Sequence, residues 1–168
     1  MKKLIAKTER GYDIVHKDPY LPRGASGKIA VCEGCQAVYM KKRWYLKVDA
    51  PEAKSATAMK VVCPACLKIR DNFPGGIVTL SGDFLIAHKD EFLHLIRNEE
   101  QRARGFNPLE RVMSIKENGH GRIVINTTTE KLAQRLGRAF KKAFRGDVTY
   151  SWSHDDKLVR VAWVREAA

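Results

Sequence analysis

All four cysteines of this 168-residue chain stand in two Cys-x-x-Cys pairs, Cys32 with Cys35 and Cys63 with Cys66. Such a turn aims two thiolates at one point, and two of these turns complete a tetrahedral set of four ligands. Thiolates are soft ligands that select zinc or iron over hard cations. Because four protein ligands leave no coordination position open for water, we interpret the pattern as a structural Zn2+ site.

Two other chemistries use the same residue types. A rubredoxin-like iron centre also has four cysteine ligands, and the segment Cys63-Pro64-Ala65-Cys66 resembles one of its knuckles. The glycine that usually follows such a knuckle is absent, since Gln36 and Leu67 stand in its place. A redox dithiol needs only one pair and leaves the second pair unexplained. The spacing therefore favours zinc and keeps iron as the alternative.

A second chemical feature is the formal net charge of +12. Residues 1–70 carry 15 Lys or Arg against 6 Asp or Glu, whereas residues 71–168 carry 16 against 13. A basic excess concentrated around a candidate metal site indicates a polyanionic partner, most simply nucleic acid. The alternative is a basic surface that only keeps the protein in solution.

The segment 130–145 is predicted to form a helix with cations along one face. Its apolar residues share the opposite face, and no acidic residue interrupts the cations. The apolar residues are Leu132, Leu136, Ala139, Phe140 and Ala143. The cations, called the helix stripe below, are Lys131, Arg135, Arg138, Lys142 and Arg145. Because aligned cations repel one another, we predict that the stripe lies along RNA phosphates; an ordinary solvated face is the alternative.

Another basic group, Lys41-Lys42-Arg43-Trp44, lies between the two cysteine pairs and is called the hairpin segment below. Its three cations can pair with phosphates, and Trp44 can stack on an unpaired base. The alternative is that Trp44 packs in the core of the metal module while the cations only solvate it. The sequence thus predicts two RNA-binding groups, the hairpin segment and the helix stripe.

The spacing of strand and turn residues predicts the α+β fold that positions these groups. Asn118-Gly119 predicts a hairpin turn, and a turn at residues 154–156 joins the last two strands. Thr128 or Thr129 caps the basic helix, and His88-Lys89-Asp90 breaks an earlier helical stretch into two helices. The predicted parts are a basic N-terminal arm (1–28), a zinc ribbon with four cysteine ligands (29–72), a strand and helical connector (73–107) and a ββαββ domain (108–168).

The chain contains no recognisable catalytic motif. Ser151, His154 and Asp155 fall within one tight hairpin and cannot adopt the geometry of a catalytic triad. No apolar run is long enough to span a bilayer, and the apolar stretch near the N-terminus is too short for a signal peptide. We therefore expect a non-enzymatic, cytoplasmic protein with reduced thiols, no small-molecule substrate and no membrane contact.

Four segments resemble a group of small bacterial zinc-ribbon proteins of unassigned activity. They are VCPACLKIRD (62–71), VTLSG (78–82), IRNEE (96–100) and LERVM (109–113). The cysteines and the unit from Ile123 to Val148 are also similar to the archaeal and eukaryotic family that escorts large ribosomal subunits, nonsense-mediated decay protein three. The resemblance implies zinc on the four cysteines and association with the ribosome or ribosomal RNA. Because this chain lacks that family's further knuckles, domains and export signals, an export role is not implied.

These observations together predict a non-enzymatic zinc-ribbon RNA-binding protein that associates with the ribosome, through its large subunit. The first alternative is a zinc-stabilised adaptor whose cations meet an acidic protein surface. The second alternative is a rubredoxin-like iron redox protein.

Overall fold

The computed structural model describes residues 5–7, 13–15, 20, 29–46, 58–153 and 157–166, the first two ranges by their backbone alone. The strands are β1 (Ile5–Lys7), β2 (Asp13–Val15), β3 (Ala30–Cys32), β4 (Val38–Met40), β5 (Arg43–Tyr45), β6 (Met59–Val61), β7 (Gly76–Ser81), β8 (Val112–Asn118), β9 (Arg122–Thr127), β10 (Asp147–Trp152) and β11 (Val159–Val164). The helices are α1 (Pro64–Arg70), α2 (Asp83–Ala87), α3 (Lys89–Phe106) and α4 (Glu130–Phe144).

The two cysteine pairs belong to a small four-stranded sheet with the order β5-β4-β3-β6. Strands β3, β4 and β5 are antiparallel, whereas β6 runs parallel to β3. Cys32 is the last residue of β3, and Cys63 follows the end of β6. Because parallel strands end at the same edge of a sheet, both knuckles lie at that edge. This unit, residues 29–46 and 58–71, is called the cysteine module below.

The remainder of the chain forms a five-stranded sheet with the order β10-β11-β7-β9-β8. Its central strand is β7, which runs parallel to β11 and antiparallel to β9. The sequence predicted this strand as part of the connector, so the sheet has one strand more than the predicted ββαββ arrangement. Residues 75–153 and 157–166 are called the sheet domain below.

Helices α3 and α4 cover one face of the large sheet and enclose the main core. Alternate residues of β11, namely Val159, Val161 and Trp163, point into this core and are fully buried. The helices contact each other through stacked rings, with the centroids of Phe92 and Phe144 4.0 Å apart. The intervening residues of β11, among them Arg160, are exposed on the opposite face of the sheet.

Helix α4 approaches the sheet closely because glycine stands at its centre. A Cβ atom on Gly137 would lie only 2.7 Å from Cγ1 of Val161. Thr129 caps the helix, and its side chain accepts a hydrogen bond from the backbone N–H of Leu132, in agreement with one of the two predicted caps. The predicted apolar face needs one correction. Ala143 is exposed, and the buried residues are Leu132, Ala133, Leu136, Gly137 and Phe140.

Other predictions fall partly outside the described residues. Most of the predicted arm lies outside them, although β1 and β2 within it form an antiparallel pair. The turn at residues 154–156 also lies outside them, whereas the break at His88 is confirmed as the boundary between α2 and α3. No helix in the described part of the chain is long and apolar enough to cross a bilayer.

Candidate metal centre and nucleic-acid interface

The sulfur atoms of Cys32, Cys35, Cys63 and Cys66 all lie within 4.8 Å of one another. The Sγ atoms of Cys35 and Cys63, which come from different pairs, are 3.6 Å apart. A tetrahedral zinc site with bonds of about 2.3 Å separates its sulfurs by about 3.8 Å. The four cysteines could therefore bind one metal ion with little rearrangement.

Three N–H groups, two from the backbone and one from a side chain, donate to sulfurs of the cluster. The backbone N–H of Cys63 donates to Sγ of Cys32 at 3.2 Å, and that of Cys66 donates to Sγ of Cys63 at 3.4 Å. Nη1 of Arg111 donates to Sγ of Cys66 at 3.3 Å. Donors to sulfur stabilise thiolates, and four thiolates around one divalent cation carry excess negative charge. Arg111 therefore supplies charge compensation from outside the cysteine module.

Contacts between the sulfurs and burial change the pKa values of three of the four cysteines. The contact between the Cys35 and Cys63 sulfurs lowers the pKa of Cys35 to about 4, and the same contact together with burial raises the pKa of Cys63. Burial also raises the pKa of Cys66. A cation among the sulfurs would compete with protons for them. Metal binding then releases protons, so we expect the affinity for metal to fall as the pH falls.

The two knuckles form without the glycines that commonly follow them. Gln36 adopts φ = 63°, a left-handed conformation that favours glycine. Its Nε2 donates to the carbonyls of Cys32 and Glu33 at 3.3 and 3.4 Å. In the second knuckle Pro64 is the first residue of α1, where its fixed φ suits a helix, and Leu67 continues the helix. The first knuckle is thus held by side-chain hydrogen bonds from Gln36, and the second by Pro64 at the start of a helix.

Polar contacts join the cysteine cluster to the sheet domain. The backbone N–H of Arg111 donates to Oγ1 of Thr128 at 2.8 Å, and Nζ of Lys68 in α1 donates to the carbonyl of Thr128 at 3.1 Å. Leu109 packs against the buried residues of the cysteine module. Thr128 is fully buried and precedes the cap of α4, so the cysteine cluster is held against the start of the basic helix.

The cations of the hairpin segment lie at an exposed two-residue turn. Lys41 and Lys42 connect β4 to β5 and both have positive φ, 49° and 63°, as a type I′ turn requires. Arg43 is exposed, with its guanidinium 5.9 Å from the ring centre of Tyr45. Trp44 is half-buried and packs against the cysteine cluster, so part of its ring belongs to the module's core.

This turn allows a test that separates charge from stability. The left-handed conformation costs about 1–2 kcal/mol for each non-glycine residue, and Asn-Gly is the preferred pair in a type I′ turn. We expect Lys41→Asn with Lys42→Gly to raise the free energy of unfolding of the cysteine module and to weaken RNA binding, as measured by thermal melts and filter binding. A variant with higher stability and unchanged affinity would show that RNA does not contact these lysines.

The five cations of the helix stripe differ in their ion pairing and in their position on the helix. Lys131, Arg138 and Lys142 are exposed and form no ion pair with any residue that the structure describes. Arg135 instead donates from Nε to Oε2 of Glu99 in α3 at 2.7 Å. Arg145 follows the end of α4 with φ = 58° and is exposed, so it does not continue the helical row.

Glu99 is the residue that sequence reasoning missed. Its side chain is only 10% exposed, and it accepts a second ion pair from Nη1 of Arg102 at 2.9 Å. A sequence signal existed, because Glu99 occupies an inward position of α3 in register with Phe92, Ile96 and Ala103. An acidic residue at such a position indicates a buried partner of opposite charge.

The ion pair predicts different roles for two neighbouring arginines. Arg135→Gln leaves the nearly buried Glu99 with one cation fewer, and we expect a loss of about 1–3 kcal/mol in the free energy of unfolding. The matched variant Arg138→Gln removes an exposed charge and should change stability by less than about 0.5 kcal/mol. Urea denaturation of both variants measures the difference. Equal stabilities would show that the Glu99 contact contributes nothing to folding.

No protein-family model, curated protein or solved structure matches this chain. The resemblance to small bacterial zinc-ribbon proteins of unassigned activity, and the weaker one to the escort family of large ribosomal subunits, stay predictions. RNA binding is therefore inferred from the chain's own residues, and the ribosome as its partner from that resemblance.

Proposed function

We propose that this chain is a zinc-stabilised, non-enzymatic RNA-binding protein that associates with the ribosome, through its large subunit. The observation that carries the proposal is a set of exposed cations that form no ion pair with any residue in the described ranges. They are Lys41, Lys42, Arg43, Lys131, Arg138 and Lys142. Like charges on neighbouring elements repel one another, and a polyanion that binds across them offsets this repulsion.

The position of the hairpin turn supports one continuous basic surface. Lys42 at the turn and Thr129 at the cap of α4 line the same cavity, so the turn lies beside the start of the helix. From there Lys131, Arg138 and Lys142 follow along α4. An RNA backbone that crosses the turn could continue along the helix, with phosphate contacts supplying most of the affinity.

Zinc is the metal that we propose for the four cysteines. Four thiolates with compact spacing and N–H donors to three of the sulfurs suit a closed structural site, which has no coordination position for a substrate. We expect a colourless protein with one zinc per chain by elemental analysis. A red protein that contains iron would replace this proposal with the redox alternative.

Sedimentation of a native lysate tests the ribosomal partner. We expect the protein to migrate with large subunits or whole ribosomes at low salt, and to move to the top of a sucrose gradient as salt rises. Treatment with ribonuclease should release it in the same way. A protein that stays at the top under all conditions would overturn the ribosomal proposal, and ribonuclease-resistant association would favour an adaptor that binds protein.

A further inference from the structure

A cavity of about 450 Å³ lies at the junction between the cysteine module and the sheet domain. The module contributes Tyr39, Lys42, Trp44 and Lys68, and Thr128 and Leu109 close the other side. Cavities that hold small ligands have volumes of about 300–1,000 Å³, so this one has room for a compact ligand.

The walls of this junction cavity offer aromatic surface. The rings of Tyr39 and Trp44 are 5.3 Å apart with an angle of 53° between their planes, and Tyr20 also lines the cavity. Nε1 of Trp44 is buried and has no hydrogen-bond acceptor among the described residues. Buried donors are nearly always paired, so this N–H is left for an acceptor that the described residues do not supply.

The charge of the cavity is positive. Lys42 is exposed at its rim, and Lys68 lies inside with Nζ 3.1 Å from the carbonyl oxygen of Thr128 and 5.6 Å from the ring centre of Tyr20. No carboxylate is present among the described residues that line it. Aromatic faces bind planar rings, and two lysines without an acidic neighbour bind an anion.

We propose that the junction cavity binds a single nucleotide, with its base against Tyr39 and Trp44 and its phosphate between Lys42 and Lys68. A free mononucleotide and an unpaired nucleotide of an RNA strand have this chemistry in common. The second source rests on the proposed RNA-binding function, whereas the first does not.

The test uses the full-length, metal-loaded protein and two exposed lysines of the cysteine module. Lys42 is among the cavity residues, whereas Lys60 on β6 is exposed, does not line the cavity and is not part of the proposed RNA-binding surface. We titrate AMP, GMP, CMP and UMP by calorimetry and expect saturable binding of at least one. Lys42→Gln should weaken it about tenfold, and Lys60→Gln should change it less than twofold. Trp44→Phe, which keeps a ring and removes the N–H donor, should also weaken it.

Competition identifies the source. A single-stranded RNA hexamer that displaces the mononucleotide, while a fully paired RNA duplex does not, supports an unpaired RNA nucleotide as the occupant. Binding that neither RNA displaces supports a free nucleotide. Absence of saturable binding for all four mononucleotides and for the hexamer, or equal effects of Lys60→Gln and Lys42→Gln, overturns the site. Ribosome association that persists in that case leaves the proposed function standing, so the two failures are distinguishable.

Discussion

Replacing Cys63 with serine is expected to abolish metal binding and to unfold the cysteine module, while the sheet domain stays folded. The buried apolar residues among the module's described positions are Ala30, Cys32, Ala37, Val38, Cys63 and Ala65, so two of the six are candidate metal ligands, three are alanines and one is a valine. So little apolar surface cannot offset the entropy of ordering the chain. Structural zinc contributes about 10–16 kcal/mol in comparable peptides, which is as large as the whole stability of an ordinary domain.

The sheet domain has its own hydrophobic core, so its folding does not depend on a bound metal. Its cluster includes Phe92, Phe140 and Trp163, all fully buried, and none of them belongs to the cysteine module. Removal of the metal should therefore unfold the cysteine module as one cooperative unit and leave the sheet domain folded.

Hydrogen exchange with elemental analysis checks this prediction. In Cys63→Ser the amides of β3, β4 and β6 should lose protection, whereas those of β7, β9 and β11 keep it. Val62→Ser is the matched control, because it introduces the same side chain at the exposed neighbouring position and leaves all four ligands. A Cys63→Ser protein that retains one zinc per chain, or that loses protection throughout, would contradict the prediction.

The second large effect concerns the basic helix. Changing Lys131, Arg138 and Lys142 together to glutamine should reduce the slope of log affinity against log salt by about 2–3, from about 0.7–0.9 for each lost phosphate contact. The affinity for ribosomal RNA should fall roughly 100-fold at about 0.1 M salt. Stability should change little, because these three cations are exposed and form no ion pair with a described residue.

A matched triple variant controls for net charge. Lys116, Arg122 and Arg160 are also exposed and lie on the sheet face opposite the helices, so their change to glutamine removes the same charge from another surface. We expect this control to keep the salt slope nearly unchanged. Equal losses in both triple variants would show that RNA responds only to net charge, and that α4 is not the contact surface.

The cysteine spacing and the local signals were readable from the sequence alone. Two Cys-x-x-Cys pairs indicated one four-ligand cluster, and the four sulfurs do lie together. Asn118-Gly119 indicated the turn that joins β8 and β9, and Thr129 indicated the start of α4. These features depend on residues within a few positions of one another, where backbone preference and side-chain capping act directly.

Only the tertiary structure decided which distant residues meet. Strand β7 lies at the centre of the large sheet because it pairs with β11, about 80 residues further along the chain. Its alternating pattern of buried residues does not indicate which strand it pairs with. The ion pair between Arg135 and Glu99 joins two helices, so one cation that the sequence predicted for RNA binding makes a structural contact instead. Arg111 reaches Cys66 across 45 positions for the same reason. Contacts of this kind follow from how whole elements pack, which local propensity does not encode.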